Sequence, residues 1–394
     1  MRPFEPLGTS SPAAYSQLQN HLSTKPIRLG PLAFWAFVGQ RCFRICLLTA
    51  LLGSCFYGLI FMSPACLAQE TNLDKVVVAN RIGDQQQTLS GRILAYNGKF
   101  LTFQLLGGSP QRIETSRVKK IQSAWTAKHL RGDQLLADHE FEQALLAYQQ
   151  AVKEETRLWA RQRILAQWVW CYRGLSQTEQ AGEHFLKVVL AGDPDTLYFD
   201  TIPLTWGKQA VSPTLEGRAQ SWLTDSRSSA GRLLGASWLL GTAQRATAIQ
   251  VLKQLTTDTD TRIALLAEAQ LWRTQQASIS VQGLGQWKGQ IGRLPVELRP
   301  GPYFLLGAGL HRHQQHEQAI VAWMRVPINY SQHYQLAAEA LLASAKKLDQ
   351  LQRESQARNL YQEIVSKYGT TVAAGQAQRW LDQAQSQNQP PPQK

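Results

Sequence analysis

The pattern of apolar and polar positions divides the chain into three parts. An uncharged apolar run of 18 residues extends over Ile45–Met62. Short segments in which apolar and polar residues alternate follow at 75–122, and this alternation is typical of β-strands. From 123 to about 387, apolar residues recur with the period of amphipathic helices. We therefore predict a mainly α-helical chain that is preceded by a small β-module.

An eleven-residue phrase occurs four times in the helical part. The first copy reads "FEQALLAYQQA" at Phe141–Ala151. Its central alanine is followed by an aromatic residue after four positions and by a small or branched residue after seven, so all three share one helix face. The four sets are Ala144, Tyr148 and Ala151; Ala181, Phe185 and Val188; Ala319, Trp323 and Val326; and Ala357, Tyr361 and Ile364. A neighbouring copy can bury such a face, which predicts stacked helix pairs.

A small residue stands 12 positions before the alanine in three copies, as Gly132, Gly307 and Ala345. The copy around Ala319 resembles the tetratricopeptide repeat. The matching positions are Tyr303, Leu306, Gly307, Leu310, Ala319 and Trp323. The resemblance implies an α-solenoid of divergent tetratricopeptide-like helix pairs over residues 123–387. It also implies a concave groove, lined by the first helix of each pair, that binds peptides.

The spacing of the copies predicts further helices. With a weaker fifth copy at Ala248, successive alanines lie 37, 67, 71 and 38 residues apart. A tetratricopeptide repeat has about 34 residues, so each wide gap predicts an additional degenerate helix pair. The candidate helices are Leu215–Leu223 and Ile263–Trp272.

Two stretches without helical periodicity interrupt the repeats, at Gly192–Pro213 and Gly292–Pro302. Long loops inside compact folds are often functional. Aromatic residues in loops are usually buried for their area, however, so we expect Tyr198, Phe199 and Trp206 to fill a gap between repeats. The polar, proline-rich tail at 388–394 is expected to be disordered.

Five short strands are expected in the β-module. Asn97–Gly98, between two alternating segments, predicts a tight hairpin in which both residues have positive φ. The string G-R-I-x-x-Y-N-G-x-F-x-x-F, from Gly91 to Phe103, resembles Sm-like and other SH3-like barrels. The resemblance implies a small, partly open β-barrel over residues 69–122. Sm-like proteins bind RNA, so a nucleic-acid-binding barrel stands beside a docking or oligomerisation module as an alternative.

The N-terminal region predicts export. Two arginines precede the apolar run and "SPACLAQE" follows it, a pattern typical of a signal peptide, here at 41–68 with cleavage after Ala68. An uncleaved inner-membrane anchor through 45–62 and a lipidated Cys55 are the alternatives. The signal peptide and the anchor both place the following residues in the periplasm or cell envelope. Residues 1–40 are expected to be a disordered extension.

Composition narrows the candidate chemistry. The chain has 41 Lys and Arg against 28 Asp and Glu, a net charge of +13, which favours acidic partners. The chain contains no run of five or more basic residues, so its charge does not indicate a nucleic-acid-binding patch. No catalytic or nucleotide-binding motif occurs. The spacing of His311, His313 and His316 fits a solvated helix end better than a metal site. We therefore expect no metal and no cofactor.

The sequence favours an exported, non-enzymatic scaffold or adaptor that binds protein or peptide partners in the bacterial cell envelope. Contact with the membrane is expected only through the N-terminal segment, and nucleic-acid binding by the barrel is the alternative. Six first-helix positions are expected to face the groove: Arg163, Trp170, Arg173, His311, Arg312 and Lys346. Because arginine grips carboxylates through paired donors, this groove should prefer an acidic peptide or a free C-terminal carboxylate.

Overall fold

The structure, a computed structural model, describes residues 73–80, 85–191 and 194–387. The expected N-terminal extension at 1–40, the signal peptide or anchor at 41–68 and the tail at 388–394 lie outside these residues. Within the described part, no helix combines the length and apolar character needed to cross a membrane.

Five antiparallel strands form one sheet in the order β4-β3-β2-β1-β5. The strands are β1 Asp74–Ala79, β2 Gln86–Tyr96, β3 Phe100–Leu105, β4 Pro110–Glu114 and β5 Val118–Gln122. The two edge strands, β4 and β5, do not pair with each other, so the sheet is open and the expected barrel does not close. The side chains of Trp159 and Ala160, from a following helix, are buried in the core of this sheet. They cover apolar side chains that the strands alone leave uncovered.

The connection between β2 and β3 differs from the predicted hairpin, because neither Asn97 nor Gly98 has positive φ. The side-chain oxygen of Asn97 accepts hydrogen bonds from the backbone amides of Lys99 and Phe100, both at 2.9 Å. The amide of Gly98 donates to the carbonyl of Asp195 at 2.5 Å, and a Cβ atom at Gly98 would collide with that carbonyl. Glycine therefore permits close approach of another loop here, rather than an unusual backbone angle.

Fourteen α-helices follow the sheet in the described part of the chain. They are α1 Ala127–Ala137, α2 Phe141–Glu154, α3 Leu158–Gly174, α4 Thr178–His184, α5 Pro213–Thr224, α6 Ser229–Leu239, α7 Arg245–Leu255, α8 Thr261–Gln275, α9 Val281–Arg293, α10 Pro300–Arg312, α11 His316–Asn329, α12 Tyr334–Gln350, α13 Glu354–Lys367 and α14 Val372–Gln387. A π-helical segment, Phe185–Leu190, continues α4, and short 3₁₀ turns lie at Thr115–Arg117, Phe199–Thr201 and Val296–Leu298. The mainly α-helical prediction is confirmed.

Consecutive helices pack as antiparallel pairs, and the repeat residues lie between them. A Cβ atom at Gly132 would come within 2.6 Å of the Tyr148 ring, and one at Gly307 within 2.5 Å of the Trp323 ring. The repeat alanines and the four aromatic residues that follow them are buried. The small residue of the first helix therefore makes room for the aromatic ring of the second, as the repeat spacing predicts.

Four pairs share one further feature, the turn between their two helices. His139, Ser176, Gln314 and Gln352 have φ between 58° and 62°, and each stands five residues before a repeat alanine. The amide of the next residue donates to the carbonyl five positions earlier, as from Glu140 to Leu135 at 2.8 Å. This is the Schellman ending of a helix. The pairs α1–α2, α3–α4, α10–α11 and α12–α13 are therefore copies of one local structure.

The middle of the array departs from this regularity. Both predicted helices are present, as α5 and α8. The second wide gap holds the additional pair α8–α9, as expected. The first wide gap holds the single helix α5 and a long loop, so the expected pair is wrong there. Between residues 194 and 212 this loop forms only one short 3₁₀ turn.

The two ends of the array meet. The ring of Tyr334, at the start of α12, lies 4.9 Å from that of Phe141 and 4.6 Å from that of His139, between centroids. The loop at 194–212 packs against helices of the array. Arg173 of α3 donates to the carbonyls of Asp200 and Thr201, and the Trp206 ring lies against Gly301 of α10. Phe199 and Trp206 are buried as predicted, while Tyr198 is only partly buried.

Candidate functional site

A cleft of about 920 Å³ opens where residues 205–211 of the long loop meet α6, α8, α10 and α12. Pockets of this volume are large enough for a peptide segment or a small ligand. Its walls are formed by residues that recur at intervals of three or four along a helix and therefore lie on one face. Glu339, Ala343 and Lys346 of α12 are four and three residues apart and share one face. Phe304 and Ala308 of α10 line the opposite wall in the same way.

The charges that line the cleft are mostly positive. The lining contains one carboxylate, Glu339, and five Lys and Arg side chains, namely Lys208, Arg245, Arg273, Arg312 and Lys346. Four of the five cationic residues are exposed, and Arg273 is partly buried. The net excess gives the cleft a positive potential, which attracts anionic groups.

Arg273 fixes the shape of the cleft floor. Its guanidinium donates to the carbonyl of Ser237 at 2.6 Å, to the side chain of Gln270 at 2.8 Å and to the carbonyl of Gly207 at 3.3 Å. Burial lowers the pKa of Arg273 to about 10, and the nearby charge of Arg245 acts in the same direction. The group remains charged at neutral pH, and its donors tie α8 to α6 and to the loop.

The exposed cations are less constrained. Lys346 donates to the side chain of Gln376 at 2.7 Å, and Arg245 to the carbonyl of Leu240 at 3.0 Å. Within the described part of the chain, Arg312 and Lys208 donate no hydrogen bond to the protein. These side chains are therefore available to a ligand without breaking a buried contact.

Glu339 is partly buried, unlike the four exposed cations. Its Oε1 accepts a hydrogen bond from the side chain of Gln209 at 3.0 Å. Burial raises the pKa of Glu339, while the hydrogen bond from Gln209 opposes that shift. A Cβ atom at Gly207 would lie 2.7 Å from the other carboxylate oxygen, so the loop passes directly beside this acid.

The six residues expected to face one groove are divided between two places. His311, Arg312 and Lys346 line the cleft, while Arg163, Trp170 and Arg173 do not. Arg163 pairs with Asp133 at 3.1 Å and stacks over the Trp125 ring at 4.9 Å. It therefore holds the first helix pair to its neighbour, outside the cleft.

Arg173 and Trp170 lie where the two ends of the array meet. The Arg173 guanidinium stacks on the Trp170 ring at 4.3 Å and donates to the carbonyls of Asp200 and Thr201, both at 3.3 Å. It also lies 3.1 Å from Nδ1 of His333. Since arginine can only donate, this ring nitrogen accepts and His333 is neutral. Burial lowers the pKa of His333 well below its ordinary value, and the charge of Arg173 does so too.

Two further features bear on the expected chemistry. In the part of the chain that the structure describes, no group of three or more His, Cys, Asp or Glu could hold a metal ion. The His311 and His316 rings lie 5.8 Å apart, and Nε2 of His313 contacts the carbonyl of Ile279 at 2.7 Å. The lone cysteine of the described residues, Cys171, is buried.

The sequence analysis missed three of the five cations that line the cleft. Lys208 and Arg245 lie outside the regular first helices, and Arg273 belongs to a pair without the repeat phrase. The irregular loop is the one sequence signal that points to this site, because Trp206 and the residues after it line the cleft.

Comparison with known proteins adds no assignment. No family model, no curated protein and no solved structure matches this chain.

Proposed function

We propose that this chain is a non-enzymatic scaffold of the bacterial cell envelope that binds an acidic segment of a protein partner in the cleft. The helix pairs are of the tetratricopeptide type. The observation that carries the proposal is the charge of the cleft, in which five cations and one carboxylate surround a cavity of about 920 Å³. The envelope location rests on the sequence of residues 41–68.

The repeated local structure supports the assignment to tetratricopeptide-type pairs. Four pairs share the buried aromatic ring and the left-handed turn residue, and three of them also have a glycine or other small residue 12 positions before the repeat alanine. Stacked pairs of this kind characteristically present an extended binding surface built from successive first helices. Here α8, α10 and α12 are the first helices of their pairs, and all three line the cleft.

The test is a charge reversal on the cleft rim. The probe is a fluorescent hexapeptide of glutamates with a free C-terminal carboxylate, titrated by fluorescence anisotropy. The double variant Arg312→Glu with Lys346→Glu should weaken binding at least about tenfold, because each charged contact contributes about 1.5–3 kcal/mol. Binding to the unmodified protein should also weaken as salt rises, since exposed charges are screened beyond about 8 Å at physiological ionic strength.

The matched control is Lys253→Glu with Lys288→Glu. Both lysines are exposed on helices of the same array, and neither lines the cleft. This control changes the net charge equally and should leave binding within about twofold. Equal losses in both double variants, with circular dichroism unchanged, would contradict a specific cleft. Tighter binding of single-stranded RNA, unaffected by the rim variant, would favour the nucleic-acid alternative.

A further inference from the structure

The cleft contains five cations and one carboxylate that is not paired with any of them. Five cations line it, yet among the described residues none forms an ion pair with Glu339. In the part of the chain that the structure describes, the one hydrogen bond to its carboxylate comes from the neutral side-chain amide of Gln209, at 3.0 Å. One carboxylate oxygen therefore lacks a described partner at the inner end of a cationic cleft.

An acid in this position is costly to the folded protein. Glu339 is partly buried between the cleft walls, and this burial raises the pKa of its carboxyl group. A buried charge normally has an opposite charge or several hydrogen bonds beside it. A cationic group of a ligand would supply the missing partner, and the open cleft gives it access.

The spacing on α12 defines the length of that ligand. Glu339 and Lys346 are seven residues apart and lie on the same helix face. Seven residues rise by about 10 Å along an α-helix. Arg312, at the end of α10, lines the same cleft. An ammonium group at Glu339 and a carboxylate at the rim cations would thus be separated by about 10 Å, which three extended residues span.

We infer that the cleft binds a short peptide of about three residues, with its free amino terminus at Glu339 and its carboxylate at Arg312 and Lys346. This inference rests on the anion-binding cations of the proposed function, and it names a free short peptide as the occupant in place of a segment of a protein partner. The peptide lies along α12 with its amino end beside Gly207. Recognition of both ends selects free short peptides over internal segments of folded proteins.

The test compares chemically blocked tripeptides by isothermal titration calorimetry. The probe is Ala-Ala-Glu with both ends free, and the comparison peptide carries an N-terminal acetyl group. For the unmodified protein, acetylation should weaken binding at least about tenfold. Dipeptides and pentapeptides built from the same two residue types, with both ends free, should bind more weakly than the tripeptide.

The variant Glu339→Gln isolates the charge. It keeps an oxygen that can accept from Gln209 and removes the poorly solvated charge, so the loop stays in place and the unfolding midpoint should not fall. In this variant the free and acetylated tripeptides should bind equally. Equal binding of the two peptides by the unmodified protein, or no tripeptide binding, overturns the inference. If the glutamate hexapeptide still binds through Arg312 and Lys346 in that case, the proposed function stands and only the amino-terminal site is wrong.

Discussion

The four regular helix pairs and the irregular loop at 194–212 solve the same packing problem in different ways. Two of the regular pairs place an aromatic ring against a glycine of the partner helix, Tyr148 against Gly132 and Trp323 against Gly307. The loop instead sends Trp206 against Gly301, which belongs to a helix almost a hundred residues away in sequence. The pairs build a repeated scaffold from local contacts, while the loop joins distant parts of it.

This difference locates the candidate site. A surface made of identical pairs offers the same chemistry at every step. The cleft lies where the loop breaks that repetition and where α12 brings Glu339 beside it. The irregular loop therefore contributes the side chains that distinguish the candidate site, and the regular pairs hold those side chains in position.

The largest expected effect comes from removing the anchor of the loop. Trp206 is 7% exposed, and a Cβ atom at Gly301 would overlap its ring. Trp206→Ala should lower the free energy of unfolding by about 3–5 kcal/mol, measured by urea denaturation, because a large buried ring is lost and a cavity remains.

The matched control for this change is Ile328→Ala, which removes a large apolar side chain that is 69% exposed. Its effect should stay below about 0.5 kcal/mol. If Trp206→Ala were equally mild, the loop would cover the array without stabilising it, and the contrast between loop and pairs would fail.

A smaller effect tests the regular pairs. Gly307→Leu should cost about 1–3 kcal/mol, because the added side chain meets the Trp323 ring where there is no space for it. Gly285→Leu is the control, since nothing lies within 4 Å of a Cβ atom at Gly285 in α9. That variant should be neutral or slightly stabilising, because glycine is a poor helix former. Similar melting of the two variants would show that the pair contact does not depend on the small residue.

The sequence predicts local features better than distant ones. Alternation and helical period identify all five strands and most helices, because each depends on residues close together in the chain. The repeat phrase likewise predicts the facing of Gly307 and Trp323. The packing of Trp159 from α3 against the sheet could not be predicted in this way, because this contact joins separate parts of the chain.

The candidate site shows the same limit. His311, Arg312 and Lys346 were placed in one groove because a repeat alignment fixes which face they occupy. Arg173 occupies a comparable position, but His333 of a distant pair lies against it. Because α3 and the start of α12 pack together at this point, Arg173 does not line a groove. Contacts between residues 160 positions apart leave no periodic signal.

The smallest expected effect concerns the turn that the four regular pairs share. Gln352 adopts φ of 60°, a conformation that costs most residues about 1 kcal/mol and glycine almost nothing. Gln352→Gly should therefore raise the free energy of unfolding by up to about 1 kcal/mol. Gln362→Gly, at an exposed position inside α13, should lower it by about 1 kcal/mol, because glycine disfavours a helix interior. Opposite signs for two identical substitutions ten residues apart would establish that the turn, and not the residue type, sets the requirement. If both variants were destabilised alike, the left-handed turn would not be a shared element of the regular pairs, and their difference from the loop would reduce to the packing of Trp206.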